Sequence, residues 1–195
     1  MTYTPAFEKA VDHTMLYEVG GFWNVAHPAV KMGLIDSKEN RRAVGYTNDP
    51  VDVGGETKFG IAKRANPTVD IAKLTWEGAL AIYYSHYWLK GKCDRLPANI
   101  AVLHFDGCVN FGVGQAAKFL QRSVSVQVDG AIGEITIDAA RMLNQITVCN
   151  TICDQRDNYY KQIVFNKPAQ VRFLNGWLRR NAEMRAFSTN PANKF

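Results

Sequence analysis

GYTNDPVDVGGETKFGI, residues 45–61, is the stretch on which the fold turns. Asn48-Asp49-Pro50 and Gly54-Gly55 crowd it with turn-forming residues. Pro50 lacks a backbone donor and the paired glycines favour tight turns, so neither a helix nor a regular strand runs through 48–55. Behind the glycines, Glu56, Thr57, Lys58 and Phe59 alternate polar and apolar character, which allows a short strand or hairpin arm. A short helix is expected at 61–65, stopped by Asn66-Pro67.

Outside this stretch the chain reads as helical. Thr4-Pro5 supplies a hydroxyl cap followed by proline at the first helical position. Phe7, Val11 and Met15 then recur at i,i+4, so one face of the helix is buried, and Gly20-Gly21 end it. Residues 22–44 are expected to be irregular. Downstream, helices are expected at 76–89, 97–110, 114–124, 136–145, 147–165 and 169–187, with VDGAIGEIT (128–136) as a turn and helix start. The fold class is therefore mainly α, α+β at most, with one small irregular or β-hairpin region near residues 45–60.

Composition sets the outer bounds. The chain has 195 residues, 47% hydrophobic and 21% charged, a globular balance that excludes a disordered protein. No apolar run approaches the ~18–20 residues of a membrane span. Glu8, Lys9 and Asp12 stand where a signal peptide needs its apolar core, so neither signal peptide nor transmembrane segment is expected. The net charge of +5 is uneven: residues 156–195 hold eight Lys/Arg against two Asp/Glu, and the rest is nearly neutral. A basic C-terminal helix favours an anionic partner such as an outer membrane or wall polymer, or acts as a docked helix with a solvated face. One tryptophan among those charges and no recognised motif argue against specific nucleic-acid binding. Cys93, Cys108, Cys149 and Cys153 form no CxxC pair, and no histidine stands at zinc spacing. Reduced core cysteines, no metal and no cofactor are the expectation, and the chain is expected to be a monomer.

Glu18 violates two local rules. It sits at a helix C-terminus, where a carboxylate opposes the macrodipole, and on the apolar stripe rather than the solvent face. Both effects raise a carboxyl pKa, which suits a general acid; the competing reading is a frayed end with Glu18 in solvent. The loop supplies the complement, since Asp52 before Gly54-Gly55 and Thr57 after them can orient a water. An acid at a helix end and a carboxylate/hydroxyl loop are the parts needed for glycoside hydrolysis.

YEVGG (17–21) and NDPVDVGGETKFGI (48–61) resemble the N-terminal motif of the N-acetylmuramidase family, which includes phage endolysins and proteins described as secretion activators. YYSHYW (83–88), CDRLP (93–97), FDGCVNFGVGQAAKFLQ (105–121), DGAIGEIT (129–136) and FLNGWLRR (173–180) resemble its peptidoglycan-binding region and closing helix. The resemblance implies one lysozyme-like domain over 1–195, with a catalytic region at 1–90 and a helical peptidoglycan-binding region at 91–195 sharing its core. It also implies cleavage of the β-1,4 bond between N-acetylmuramic acid and N-acetylglucosamine in peptidoglycan. Carried over, the catalytic residues are Glu18, Asp52 and Thr57, with Asp49 the alternative second carboxylate. Tyr46, Asp49, Phe59, Tyr87 and Asn110 are the expected substrate-binding residues.

Two departures from the family pattern stand out. Val19 interrupts Glu-Gly-Gly, and residues 22–44 are inserted between helix end and loop, as a lid over the site or as a surface excursion. The expected course is inversion, which needs carboxyl groups roughly 6.5–9.5 Å apart against about 5–5.5 Å for retention. An endolysin without an export signal is expected in the host cytoplasm, reaching the wall through holin-type release. The alternatives are a lytic transglycosylase and a non-enzymatic peptidoglycan-binding or secretion-assisting protein.

Overall fold

The computed structural model describes residues 2–19, 23–49, 54–193 and 195. Its elements are mainly α-helical, with one small antiparallel hairpin among the described residues, which is the composition of a lysozyme-like fold. The chain forms two compact units, residues 11–85 and residues 1–10 together with 86–195.

Helix α1 (Pro5–Glu18) starts where a capping hydroxyl is available: Thr4 Oγ1 accepts from the Phe7 amide at 3.3 Å. In the 11–85 unit, the described part of the insertion, residues 23–44, is not irregular throughout. It contains α2 (Pro28–Met32), capped by His27 Nδ1, and α3 (Lys38–Ala43), capped by the Ser37 hydroxyl. Both helices are one or two turns long, too short for a periodic apolar signal, and only their caps mark them. Strands β1 (Thr57–Lys58) and β2 (Ile61–Ala62) pair antiparallel, Thr57 with Ala62 and Lys58 with Ile61. β2 occupies the start of the expected 61–65 helix, because the Phe59-Gly60 turn, both residues at positive φ, reverses the chain there. Helix α4 (Trp76–Tyr83) follows, capped by Thr75. Trp23, Phe59 and Trp76 pack ring against ring at 4.6–6.4 Å and form the aromatic centre of this unit.

In the other unit, a π-helical segment (Tyr84–Leu89) buries Trp88 against Phe7 and Phe105. A 3-10 turn (Cys93–Arg95) leads to α5 (Ala98–Phe111), α6 (Val113–Ser123), α7 (Glu134–Met142), α8 (Gln145–Asn166) and α9 (Val171–Thr189). Their spans lie within a few residues of the helices expected from the sequence. VDGAIGEIT is a turn into α7, with Asp129 Oδ1 accepting from the Ala131 amide and Gln121.

Helix α9 buries polar as well as apolar positions. Its buried positions are Asn181, Met184 and Ser188, whereas Val171 and Phe173 are exposed and Leu174, Trp177 and Leu178 only half-buried. Polar bonds decide the docking: Asn181 Nδ2 donates to Cys153 O and Asp157 Oδ1, and Arg180 reaches Asp106 Oδ1 at 2.8 Å. Asp106 of α5 also holds Arg156 of α8 at 2.9 Å, both side chains almost completely buried. The two guanidiniums keep the Asp106 carboxyl below its usual range even though burial pushes the other way. Arg156, Arg180 and Arg185 are thus committed to ion pairs with Asp106, Asp154 and Asp157, and the C-terminal charge excess is partly internal.

Candidate active site

Glu18 is the last residue of α1 and half-buried. It faces the tip of the β1–β2 hairpin. A methyl group built on Gly60 would lie 3.0 Å from Glu18 Cβ, 3.3 Å from Glu18 Oε2 and 2.7 Å from Tyr83 Oη. The backbone of Gly60, at φ +72°, therefore lies flush against the carboxylate-bearing side chain, an approach that only glycine permits. Tyr83 Oη donates to Phe59 O at 2.8 Å and so fixes this turn from α4. Phe59 itself adopts φ +52° and is completely buried, wedged on Trp23 and Trp76. Its ring offers no face to a sugar, a different role from the substrate contact expected of it. Phe59 contributes its carbonyl and its packing, and both aim the hairpin tip.

The base of the hairpin is held by a closed backbone pair, each of Thr47 and Thr57 donating its amide to the other's carbonyl at 2.9 Å. Thr57 is half-buried, and its hydroxyl donates to Gly55 O at 3.3 Å. Tyr46 is half-buried and its hydroxyl donates to Glu56 Oε1 at 2.8 Å. That bond, then burial, holds the phenol above its ordinary range. Asp49 is exposed, two residues beyond the bridge. Asp52 lies outside the described residues. Folding therefore places Glu18, Tyr46, Asp49, Thr57 and Phe59 in one compact unit, with Glu18 packed against the hairpin that carries Thr57.

The insertion is built into this unit rather than laid over it. Trp23, Ala29, Val30, Ala43 and Val44 are buried, and the Trp23 indole N–H donates to Asp12 of α1. Lys58 of β1 is completely buried, and its ammonium donates to Gly33 O at 2.7 Å and Ala72 O at 2.9 Å. Burial pushes its pKa down, and these two carbonyls replace the lost water. Val19, the departure from Glu-Gly-Gly, is absorbed as core: its side chain lies 3.3 Å from where a methyl on Gly45 would stand. A surface cavity of about 600 Å³ opens on the insertion, lined by His27, Lys38, Glu39, Arg42 and Ala43. Glu39 and Asp36 are exposed, in keeping with a solvated charged run. Sequence reading singled out neither Gly60 nor Lys58 here. The signal for Lys58 was a charge placed between two residues of a hairpin that must bury one face.

Tyr87 and Asn110 belong to the other unit. Tyr87 is half-buried beside the buried Trp88; Asn110 is exposed, and its amide donates to Tyr160 Oη at 2.7 Å. All four cysteines are free and buried. Burial, first of all, raises the Cys149 and Cys153 thiols to about 12 and about 11, which makes them inert packing groups. The other two belong to a cluster. Spacing along the chain showed no metal ligands, yet folding gathers Cys93, His104 and Cys108 so that their donor atoms lie within 4.8 Å of one another. Cys93 comes from a separate turn, which spacing alone does not reveal.

Residues 37–112 match the family described as glycosyl hydrolase 108, and residues 115–182 match the family described as a predicted peptidoglycan domain. The first match begins downstream of Glu18, so the placement of that acid rests on the geometry at Gly60. No curated protein sequence matches the chain. Among solved structures, that of Brucella abortus SagA is similar, with TM-score 0.70 and 26% identity over 96% of each chain.

Proposed function

On the premise that the chain is a peptidoglycan hydrolase of the N-acetylmuramidase family of glycoside hydrolases, we propose that Glu18 is its general acid. Its substrate in this reading is the β-1,4 bond between N-acetylmuramic acid and N-acetylglucosamine. The observation that carries the reading is the contact of Glu18 with Gly60. An acid needs a rigid mount, and here a helix end is clamped against a hairpin tip that Tyr83 holds in turn. Glu18 donates its proton to the glycosidic oxygen as the bond to the anomeric carbon breaks. Thr57 and Asp52 orient the attacking water, which gives its proton to the Asp52 carboxylate and leaves an inverted anomeric centre. The case for Asp52 is its place in the NDPVDVGGET motif; Asp49 is the alternative on the same loop.

Tyr46 and Asp49 are the proposed sugar contacts beside Glu18 in the 11–85 unit; Tyr87 and Asn110 are proposed separately as glycan contacts of the 1–10/86–195 unit. The 115–182 region supplies wall affinity, aided by exposed Lys161, Lys167, Arg172 and Arg179 toward an anionic wall or outer membrane. No helix among the described residues is long and apolar enough to cross a membrane. Action as an endolysin, made in a host cytoplasm and released through a holin, fits these features.

The test is turbidity loss of outer-membrane-permeabilised Gram-negative cells by wild type and folded Glu18→Gln, with mass spectrometry of the fragments. Lysis by wild type, its loss in the variant, and reducing N-acetylmuramic ends are the expected results. Anhydro ends from wild type would remove water and Asp52 from the mechanism. Undiminished lysis by Glu18→Gln would remove Glu18 as the acid.

A further inference from the structure

Within the 1–10/86–195 unit, one cluster has no part in glycoside hydrolysis. Cys93 opens the 3-10 turn 93–95, and His104 and Cys108 stand at i,i+4 on one face of α5. All three side chains are buried, at 1%, 1% and 0% exposure. Two thiols and an imidazole are the donor set of soft d10 ions; hard cations prefer oxygen.

The geometry allows an ion at the centre. Three atoms that all lie within 4.8 Å of one another share a point within roughly 2.8 Å of each. Bonds of about 2.3 Å to sulfur and about 2.0–2.1 Å to nitrogen then need contraction by tenths of an ångström. The space is left by Gly91, where a methyl group would stand 2.8 Å from Cys108 Sγ and 3.2 Å from Cys93 Sγ. His104 Nε2 lies 3.1 Å from Gly91 O. A neutral His104 donating from Nε2 to that carbonyl carries its lone pair on Nδ1, and a backbone carbonyl orienting the ring is the usual support of a metal-binding histidine. Gly91 thus makes room for the sulfurs with its missing side chain and orients the imidazole with its carbonyl.

We propose that Cys93, His104 and Cys108 form a buried site for one thiophilic d10 ion, zinc or copper(I), which pins the 93–95 turn to α5. The bound ion ties a turn that carries no side-chain cap to the most deeply buried helix of the unit. Its role is structural, and the proposal stands apart from the glycosidase reading.

The test uses the full chain, stripped with a chelator and kept under a phosphine reductant without oxygen. Zinc and copper(I) are titrated separately against chromogenic chelators, and cobalt(II) serves as a spectroscopic probe for the zinc arm. One equivalent of at least one ion, a rise in melting temperature, and a thiolate-to-cobalt charge-transfer band are the expected results. Cys93→Ala and Cys108→Ala should each weaken binding by at least about a hundredfold, and Cys149→Ala should leave it unchanged. The wild-type titration decides even where a variant fails to fold. Failure of wild type to take up either ion would overturn the site. So would unchanged affinity in both ligand variants, or a Cys93–Cys108 disulfide in protein purified without oxidant.

Discussion

Gly60 and Glu18 meet so closely that a methyl group on the one would lie 3.0 Å from Cβ of the other. The acid at the helix end and the tip of the hairpin are therefore a single mechanical part. Positive φ at both Phe59 and Gly60 makes the turn that allows this approach. The first prediction follows from it. Gly60→Ala adds left-handed strain and collisions with Glu18 and Tyr83 Oη, and should lower stability by about 1–3 kcal/mol. Glycan cleavage should fall more than stability alone explains, roughly a hundredfold, because Glu18 is displaced. Urea unfolding beside a fragment-release assay separates the two effects.

Tyr83→Phe removes the hydroxyl that reaches Phe59 O and leaves that buried carbonyl without this donor. The expected cost is about 1–3 kcal/mol. Cleavage should fall while wall binding, measured by pelleting with insoluble peptidoglycan, stays near wild type.

Thr57→Val preserves shape and the backbone pair with Thr47 but removes the hydroxyl proposed to orient water. Turnover should drop roughly tenfold to a hundredfold with melting temperature nearly unchanged. Full activity in this variant would take water placement away from Thr57.

Lys58→Met keeps most of the buried volume and deletes the ammonium that spans Gly33 O and Ala72 O. Each abandoned carbonyl costs about 1–3 kcal/mol, offset in part because no charge is then buried. Amide exchange should rise first in 23–44, the segment that this lysine ties to the hairpin.

Asp106 sets an acid limit. Its folded pKa lies below that of the unfolded chain, so its contribution is fully present above the ordinary carboxylate range and lost as pH falls through the folded value. Wild-type unfolding free energy should therefore decline below about pH 5. Asp106→Asn should lose about 3–5 kcal/mol at neutral pH, since Arg156 is left buried without its charge partner. Its stability should also vary less between about pH 5 and pH 2.

Much of this molecule was legible before folding. Helices α5 to α8 and the start of α1 follow from apolar spacing, caps and glycine stops, all local properties. Glu18 was conspicuous because a carboxylate at a helix end and on an apolar stripe conflicts with both neighbours' preferences. The first arm of the hairpin was legible in the alternation of 56–59, while its partner strand read as a helix. What misled were features whose cause lies far along the chain. Local pattern gives no sign that α9 buries Asn181, which turns inward with Arg180 because Asp106, Asp157 and Cys153 O lie there to bond them. Phe59 read as a sugar contact because nothing local shows Trp23 and Trp76 closing over it.

By itself, then, the sequence determined the mainly α class and the order of the long helices, since each depends on residues within a turn or two. Only the tertiary structure decided that Trp23, Ala29, Val30, Ala43 and Val44 of the insertion join the core, that Lys58 is buried, and that Gly60 lies against Glu18. It alone gathered Cys93 with His104 and Cys108. Those outcomes depend on which distant surfaces exclude water together, and pair distances across tens of residues are absent from local pattern.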